Sequence, residues 1–166
     1  MQKAHSIQAS GQATATDEHR VYLSLGSNVG HREAYLQGAR AAIERDPFSR
    51  IVRSSRELDN APILFTDQGR FLNQVLEIHT RRSPDDLMSF LLNVEKQLGR
   101  QSRFKNGPRE IDLDILSYDA KKIHTGDLII PHPGLKDRAY LHLLLAELNE
   151  DARNLYYGAK ADNNRP

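Results

Sequence analysis

The sequence predicts an α+β fold: a ferredoxin-like βαββαβ core with helices packed on one antiparallel sheet, and an extra hairpin and helix at the C-terminal end. Three observations predict it. Between Val21 and Leu116, short apolar runs and two segments of helical periodicity follow one another in the order β-α-β-β-α-β. Residues that start, stop or turn a chain separate each run from the next. No internal repeat or interior linker divides the chain, and 166 residues suffice for one domain with a real core. The domain is expected over residues 21–155. Residues 1–20 read as a disordered or tag-like extension, and residues 156–166 as a loose tail.

Val21-Tyr22-Leu23-Ser24-Leu25 is a short apolar run of buried-strand type, broken at Gly26-Ser27-Asn28. Tyr35, Ala39, Ala42 and Ile43 recur at helical spacing, so a helix is expected over His31–Arg45, stopped by Asp46-Pro47. A second strand is expected over Arg50–Leu58 and a third over Phe71–Thr80. Between them Asn60–Arg70 has Pro62, Gly69 and little periodicity, hence a loop. Ser83-Pro84-Asp85-Asp86 carries a serine N-cap, a proline at the first helical position and acids in the first turn. Leu87, Leu91, Val94 and Leu98 would be the buried stripe of that helix, with Gly99 at its end. A basic loop and a strand from Ile111 to Leu116 follow. Lys121–Ile130 reads as a hairpin turning near Thr125-Gly126. Asp137 is expected to cap a last helix with Leu141, Leu144, Leu145 and Leu148 on one face.

Composition narrows the function classes. The formal net charge is +1, so no global field favours nucleic acid, and positive character must be local. The chain has no cysteine, which excludes disulfides and thiolate metal sites and fits a reducing compartment. No apolar stretch reaches the ~18–20 residues of a membrane span, and the first twenty residues lack the apolar core of a secretory signal. A cytoplasmic monomer acting on small molecules, with neither nucleic acid nor membrane as partner, is the expectation.

The most informative segment is Lys105-Asn106-Gly107-Pro108-Arg109-Glu110-Ile111-Asp112-Leu113-Asp114-Ile115-Leu116. Side chains alternate across a strand, so Asp112 and Asp114 share one face, their Cα atoms roughly 6–7 Å apart. Ile111, Leu113 and Ile115 point to the other face, into a core. Two hard anionic donors at that spacing can share one magnesium or bracket a pair, and an adjacent arginine suits a phosphate. An exposed strand that merely alternates apolar and acidic residues is the plainer alternative. Repulsion between two carboxylates on one face argues against it, because something must offset that repulsion.

Other segments could carry chemistry or only structure. Gly26-Ser27-Asn28 joins a strand to a helix start, an anion-attracting place or a simple capping turn. Phe71 and Asn73 share a strand face, where an aromatic surface beside an amide could hold a flat heterocycle; Phe71 could equally be core and Asn73 a strand end. Ile130-Pro131-His132-Pro133 presents a histidine stiffly, and Arg138 stands at a helix start where it does not serve the dipole. No His-x-x-x-His pair and no Gly-x-x-x-x-Gly-Lys loop occurs, so zinc hydrolases and P-loop nucleotide sites are unsupported.

These residues resemble the 6-hydroxymethyl-7,8-dihydropterin pyrophosphokinase family of folate biosynthesis. Leu25-Gly26-Ser27-Asn28, Gly107-Pro108-Arg109 with Ile111-Asp112-Leu113-Asp114-Ile115-Leu116, and Ile130-Pro131-His132 carry the resemblance, in the family's order. Phe71-Leu72-Asn73 and Leu98-Gly99-Arg100 support it, and it spans about Val21 to Leu148. The resemblance implies a ferredoxin-like fold and transfer of pyrophosphate from ATP, the co-substrate, to the pterin hydroxymethyl group, releasing AMP. It implies that Asp112 and Asp114 hold two magnesium ions, and that Arg100 and Arg109 contact phosphates in catalysis, Arg100 from a mobile loop. Arg109, Ile115 (through its backbone), His132 and Arg138 would contact ATP. Asn60, Pro62, Ile63, Phe71, Asn73 and Tyr140 would form the pterin pocket, the ring lying between Phe71 and Tyr140 with Asn73 at its edge.

The chain departs from the family pattern in places. Asn106 stands where tryptophan is common, Pro133 where an aromatic sometimes follows the histidine, and Asn60-Ala61 where threonine and proline are common. The loop Arg100–Arg109 is one residue shorter than in some members. That loop is expected to be a lid, mobile when empty because Arg100, Arg103, Lys105 and Arg109 repel one another without phosphate between them. Two other readings stand beside the pyrophosphokinase: a ferredoxin-like binding module for RNA or a small ligand, and a different magnesium-dependent phosphotransferase or hydrolase.

Overall fold

The computed structural model describes residues 17–158, so most of the expected extension and tail lies outside the described residues. The elements run β1 (His19–Ser27), α1 (Arg32–Arg45), β2 (Ser49–Ser54), β3 (Leu58–Asn60), β4 (Phe71–Thr80), α2 (Pro84–Gln97), β5 (Asp112–Tyr118), β6 (Ile123–Thr125), β7 (Leu128–Ile130), α3 (Ala139–Glu147) and α4 (Ala152–Tyr157). The main sheet has the order β2-β4-β1-β5, with β3 also on β4, and every pairing in it is antiparallel. The predicted α+β, ferredoxin-like core is therefore present, with β6 and β7 as the separate hairpin.

Alternation along the strands divides the apolar side chains between two layers. On one face Val21, Leu23 and Leu25 of β1, Leu72, Leu76 and Ile78 of β4, and Leu113 and Ile115 of β5 meet Leu36, Ala39 and Ile43 of α1 and Leu87, Leu91 and Val94 of α2. Ser83 accepts the Asp86 N–H at 3.2 Å and Pro84 follows it, as the capping pattern predicts. On the opposite face Tyr22, Val75 and Leu116 meet Leu141, Leu144, Leu145 and Leu148 of α3 and the following segment, and Ala152 of α4. Alternation from Asp112 and Asp114 sets Leu116 on this second face, and a bulge there resets the facing of the strand beyond it. The β1–β5 register slips between Tyr22 and Leu23, leaving Leu116 as an extra residue. Leu116 turns to α3 while Tyr118, beyond the bulge, returns to the main core.

The structure corrects several boundaries. β1 starts at His19, inside the expected extension, because Asp119 accepts the Arg20 N–H at 2.8 Å and pairs with His19. The expected second strand is two strands. At the break, Ser55 pairs with Val75 through its own N–H and through its hydroxyl, both at 2.9 Å. Asp137 does not cap the last long helix: Arg138 is its N-cap, because its N–H closes a turn on the Gly134 carbonyl at 3.0 Å and the helix starts at the next residue. α4 was not expected. Asp151 caps it by accepting the Arg153 and Asn154 N–H groups, and it reaches Tyr157, past the expected end at Leu155. Among the described residues, no helix is long and apolar enough to cross a membrane.

Candidate active site

The C-terminal layer covers only part of its sheet face, and the uncovered part is a cleft of about 250 Å³. β1 is the central strand, and Gly26 is paired with Asn73 on one side and with Asp112 on the other. Ser24, two residues back, is paired with Asp114. The amide of Asn73 and the two carboxylates thus lie on neighbouring strands of one surface, separated by the width of a glycine. A Cβ on Gly26 would stand 2.8 Å from Asn73 Oδ1, so the Gly-Ser-Asn turn begins with the residue this close approach requires.

Asp112 and Asp114 share the cleft face, with Leu113 and Ile115 buried behind them. Their electrostatics differ. Asp112 accepts Arg100 Nη1 on Oδ1 and Arg109 Nη1 on Oδ2, each at 2.9 Å. Among the described residues no arginine is in contact with Asp114, and His132 Nε2 stands 3.9 Å away. Burial first, and the Asp112 charge second, push the Asp114 carboxyl above the usual carboxylate range. His132 Nδ1 accepts the Gly134 N–H at 2.9 Å, so a neutral ring carries its proton on Nε2, toward the cleft. Burial, with Arg138 nearby, pushes the pKa of His132 down to about 4, so the ring is neutral.

The arginines of the basic loop do not face one another unpaired, which corrects the expected repulsion between them. Arg100 pairs with Glu95 at 2.7 Å as well as with Asp112, Arg109 pairs with Asp112, and Arg103 pairs with Glu110 at 2.6 Å. Each of these arginines has a carboxylate supplied by α2, by Glu110 just before β5, or by Asp112 at the start of β5.

Ten of the sequence-derived candidates come together in the cleft: Asn60, Ile63, Phe71, Asn73, Arg109, Asp112, Asp114, His132, Arg138 and Tyr140. Asn73 donates to Asn60 Oδ1 at 2.6 Å, and the Arg109 guanidinium lies 5.8 Å from the Phe71 ring centre. The other candidates stand elsewhere. Pro62 does not line the cleft. Arg100 lines a second cavity of about 500 Å³, between α2 and the basic loop. The Ile115 side chain is buried in the main core. Its backbone has a different outlook: β5 is an edge strand, Leu113 turns its N–H outward to Glu95 Oε1 at 2.7 Å, and strand alternation turns the Ile115 peptide groups to the same open edge.

Several contacts at the site were not foreseen from the sequence. Asn28 binds both backbone groups of Arg109, accepting its N–H on Oδ1 at 2.9 Å and donating its own N–H to the Arg109 carbonyl at 3.1 Å. Its side-chain amide also donates to Gln68, and Gln68 donates to the Asn106 carbonyl at 3.0 Å, so the two loops over the cleft meet at these residues. Glu95 is buried on α2 and holds both Arg100 and the edge of β5. The signal for it was available: Leu87, Leu91 and Glu95 are spaced by four, so an acid occupies a core position of an amphipathic helix.

A carboxylate pair ringed by guanidinium groups, on an open sheet face beside an aromatic and amide pocket, is an arrangement suited to phosphoryl-type transfer from a nucleotide. The model of the 7,8-dihydro-6-hydroxymethylpterin-pyrophosphokinase family matches residues 22–150. A 2-amino-4-hydroxy-6-hydroxymethyldihydropteridine pyrophosphokinase of Aquifex aeolicus is 41% identical over 137 residues, 82% of this chain and 84% of its own length. The protein of the same description from Bacillus subtilis is 35% identical over 141 residues, 85% of this chain and 84% of its own length. The Arabidopsis thaliana mitochondrial folate synthesis bifunctional protein is 37% identical over 131 residues, which are 24% of that larger protein. The chain belongs to the 7,8-dihydro-6-hydroxymethylpterin-pyrophosphokinase family. It is an ATP-dependent transferase of folate biosynthesis, and the binding-module and unrelated-phosphotransferase readings give way to that.

Proposed function

We propose that the cleft binds ATP and 6-hydroxymethyl-7,8-dihydropterin side by side and transfers the pyrophosphoryl group across Gly26, from the Asp112–Asp114 side to the Asn73 side. The observation that carries this is the strand register, which pairs Gly26 with Asp112 on one edge and with Asn73 on the other. The pterin hydroxyl oxygen attacks the β-phosphorus, the bond from that phosphorus to the oxygen of the α-phosphate breaks, and AMP leaves. The hydroxyl proton passes to solvent or to a phosphate oxygen. Positioning and charge stabilisation supply most of the catalysis in such transfers.

Two magnesium ions are part of this reading, held by Asp112 and Asp114. The donor set fits: two hard carboxylates on one face, one of them without an arginine partner. Among the described residues no third such ligand converges on them, which suits an ion that completes its shell with substrate phosphates and water. When bound, magnesium would neutralise the triphosphate and stabilise charge on the attacking and leaving oxygens. Arg100 and Arg109 would exchange Asp112 for phosphate oxygens, Arg138 would add a third guanidinium, and neutral His132 would donate from Nε2. The open edge of β5 at Ile115 offers backbone groups to the adenine.

On the other side, Phe71 and Tyr140 would sandwich the pterin, with Asn73 and Asn60 at its edge and Ile63 and Pro62 on the adjoining loop. The bond Asn73 donates to Asn60 Oδ1 orients the Asn73 amide before substrate arrives. Asn73→Ala is expected to weaken pterin binding by about 1–3 kcal/mol, because a buried polar edge of the ligand is left unpaired. Titration calorimetry with pterin, in the presence of a non-hydrolysable ATP analogue, measures it; unchanged affinity would place the pocket elsewhere. Gly26→Ala is expected to leave the fold intact, since its new methyl crowds the end of the Asn73 side chain and makes only ordinary contact with the Phe71 ring. That methyl displaces the amide, so pterin binding should weaken by about 1–2 kcal/mol while affinity for the ATP analogue alone is kept. A cysteine-free chain fits the cytoplasmic setting that belongs to this reading.

A further inference from the structure

We propose that Glu110 is a positioning residue for the transfer: with Arg103 it clamps the neck of the Arg100–Arg109 loop and so sets the aim of the two arginines at its ends. The inference rests on the reading of this loop as catalytic.

Glu110 faces neither the cleft nor the apolar core, yet its side chain is only 7% exposed. A buried carboxylate needs partners, and its partners come from the loop. Arg103 engages both of its oxygens, Nη1 to Oε2 at 2.9 Å and Nη2 to Oε1 at 2.6 Å. The Gln101 N–H donates to Oε2 at 3.1 Å, and Arg103 Nη1 also donates to the Pro108 carbonyl at 3.2 Å. Such a two-pronged bond fixes orientation as well as distance.

The consequence is topological. Gln101 and Arg103 on the outgoing limb are tied to Pro108 and Glu110 on the returning limb. The part of the loop beyond these ties shrinks to the tip Phe104–Gly107, itself closed by the Gly107 N–H on the Phe104 carbonyl at 3.0 Å and met by Gln68 at the Asn106 carbonyl. Arg100 immediately precedes Gln101, and Arg109 immediately precedes Glu110. Both therefore leave the clamped neck within one residue of a tied position, and both reach Asp112. With the clamp gone, the ordering of the segment would have to accompany each closure, and Arg100 would lose its fixed link to Arg109, whose backbone Asn28 holds independently. Arg103, with its fork engaged by Glu110, acts through geometry and leaves phosphate contact to Arg100 and Arg109.

The test uses Glu110→Gln, Arg103→Met and the double variant, with Arg100→Ala as a control. Each single change is expected to lower the single-turnover transfer rate roughly tenfold, the scale of a modest misplacement of catalytic groups, with pterin KM nearly unchanged. The double variant should be no slower than the worse single one, since both remove one clamp. Arg103→Lys, which keeps the charge, should recover part of the rate. Hydrogen exchange over residues 101–106 of the ligand-free protein should speed up in both single variants. Arg103 is the exposed partner, so Arg103→Met carries the test should Glu110→Gln fail to fold. Additive rate losses, or unchanged exchange in Arg103→Met, overturn the clamp. A loss in Arg100→Ala with none in the clamp variants overturns it while sparing the loop's catalytic role; no loss in any of them overturns both.

Discussion

Asp112→Ala and Asp114→Ala are each expected to lower pyrophosphoryl transfer at least roughly a thousandfold, about 4 kcal/mol of transition-state stabilisation, in proteins that remain folded. The strand register makes both residues face the cleft, with only Leu113 between them pointing into the core. Neither side chain fills the apolar layers, so truncation leaves no cavity there. The two variants should nevertheless differ in stability without magnesium. Asp112 neutralises Arg100 and Arg109, and its loss leaves two guanidinium groups short of a partner. Asp114 is the reverse case: its folded-state pKa lies above the unfolded value, so its ionised form opposes folding. That cost is absent below the unfolded pKa and grows as pH rises toward and through the folded one. Asp114→Asn should therefore raise the melting temperature of the magnesium-free protein at neutral and alkaline pH, and the gain should fade toward pH ~4. AMP release measures turnover and thermal melts measure the rest. Near-normal turnover in both alanine variants would sink the carboxylate assignment.

The contrast between these two aspartates shows what alternation can and cannot deliver. Period-two spacing placed Asp112 and Asp114 on one face and Leu113 and Ile115 on the other, and the same rule paired Phe71 with Asn73; the structure agrees. Which aspartate is neutralised was not legible, because the answer lies in Arg100, twelve residues upstream, and in how a loop folds back. The like-charge argument for a repelling lid failed for the same reason. It counted charges within one segment, whereas the compensating carboxylates are Glu95 on α2, Glu110 just beyond the loop, and Asp112 on β5. The start of α2 was legible in the Ser83 cap, the start of α3 was misplaced by one residue because a backbone turn does the work at Arg138, and the Asp151 cap of α4 went unread. The second apolar layer was half visible. The leucine stripe of α3 was clear, and alternation from Asp112 and Asp114 sets Leu116 toward it, but the bulge that returns Tyr118 to the main core leaves no mark in composition, and α4 is a short segment with a weak stripe.

Arg100→Ala is expected to lower the single-turnover transfer rate about a thousandfold, the lower end of what an arginine at a phosphoryl group contributes, while ATP affinity changes only a few-fold. The reason is in its resting contacts. Arg100 is already bound through one nitrogen to Glu95 and Asp112, so meeting a phosphate exchanges one charge-assisted bond for another. Such an exchange adds little to ground-state binding, and the benefit appears where charge shifts in the transition state. Glu95 makes this possible. It keeps hold of Arg100 from the α2 side and of the Leu113 N–H through its other oxygen, so the guanidinium can leave Asp112 without leaving the site. Arg109 is a useful contrast, because Asn28 binds its backbone on both sides and its position is set before any ligand arrives. Arg109→Ala should therefore weaken ATP binding and transfer together. Equilibrium titration with a non-hydrolysable ATP analogue gives the affinities, and rapid-quench single turnovers with ATP and pterin give the rates. If the Arg100→Ala loss lies in ATP affinity alone, Arg100 is a ground-state phosphate anchor and the exchange with Asp112 plays no part in the transition state.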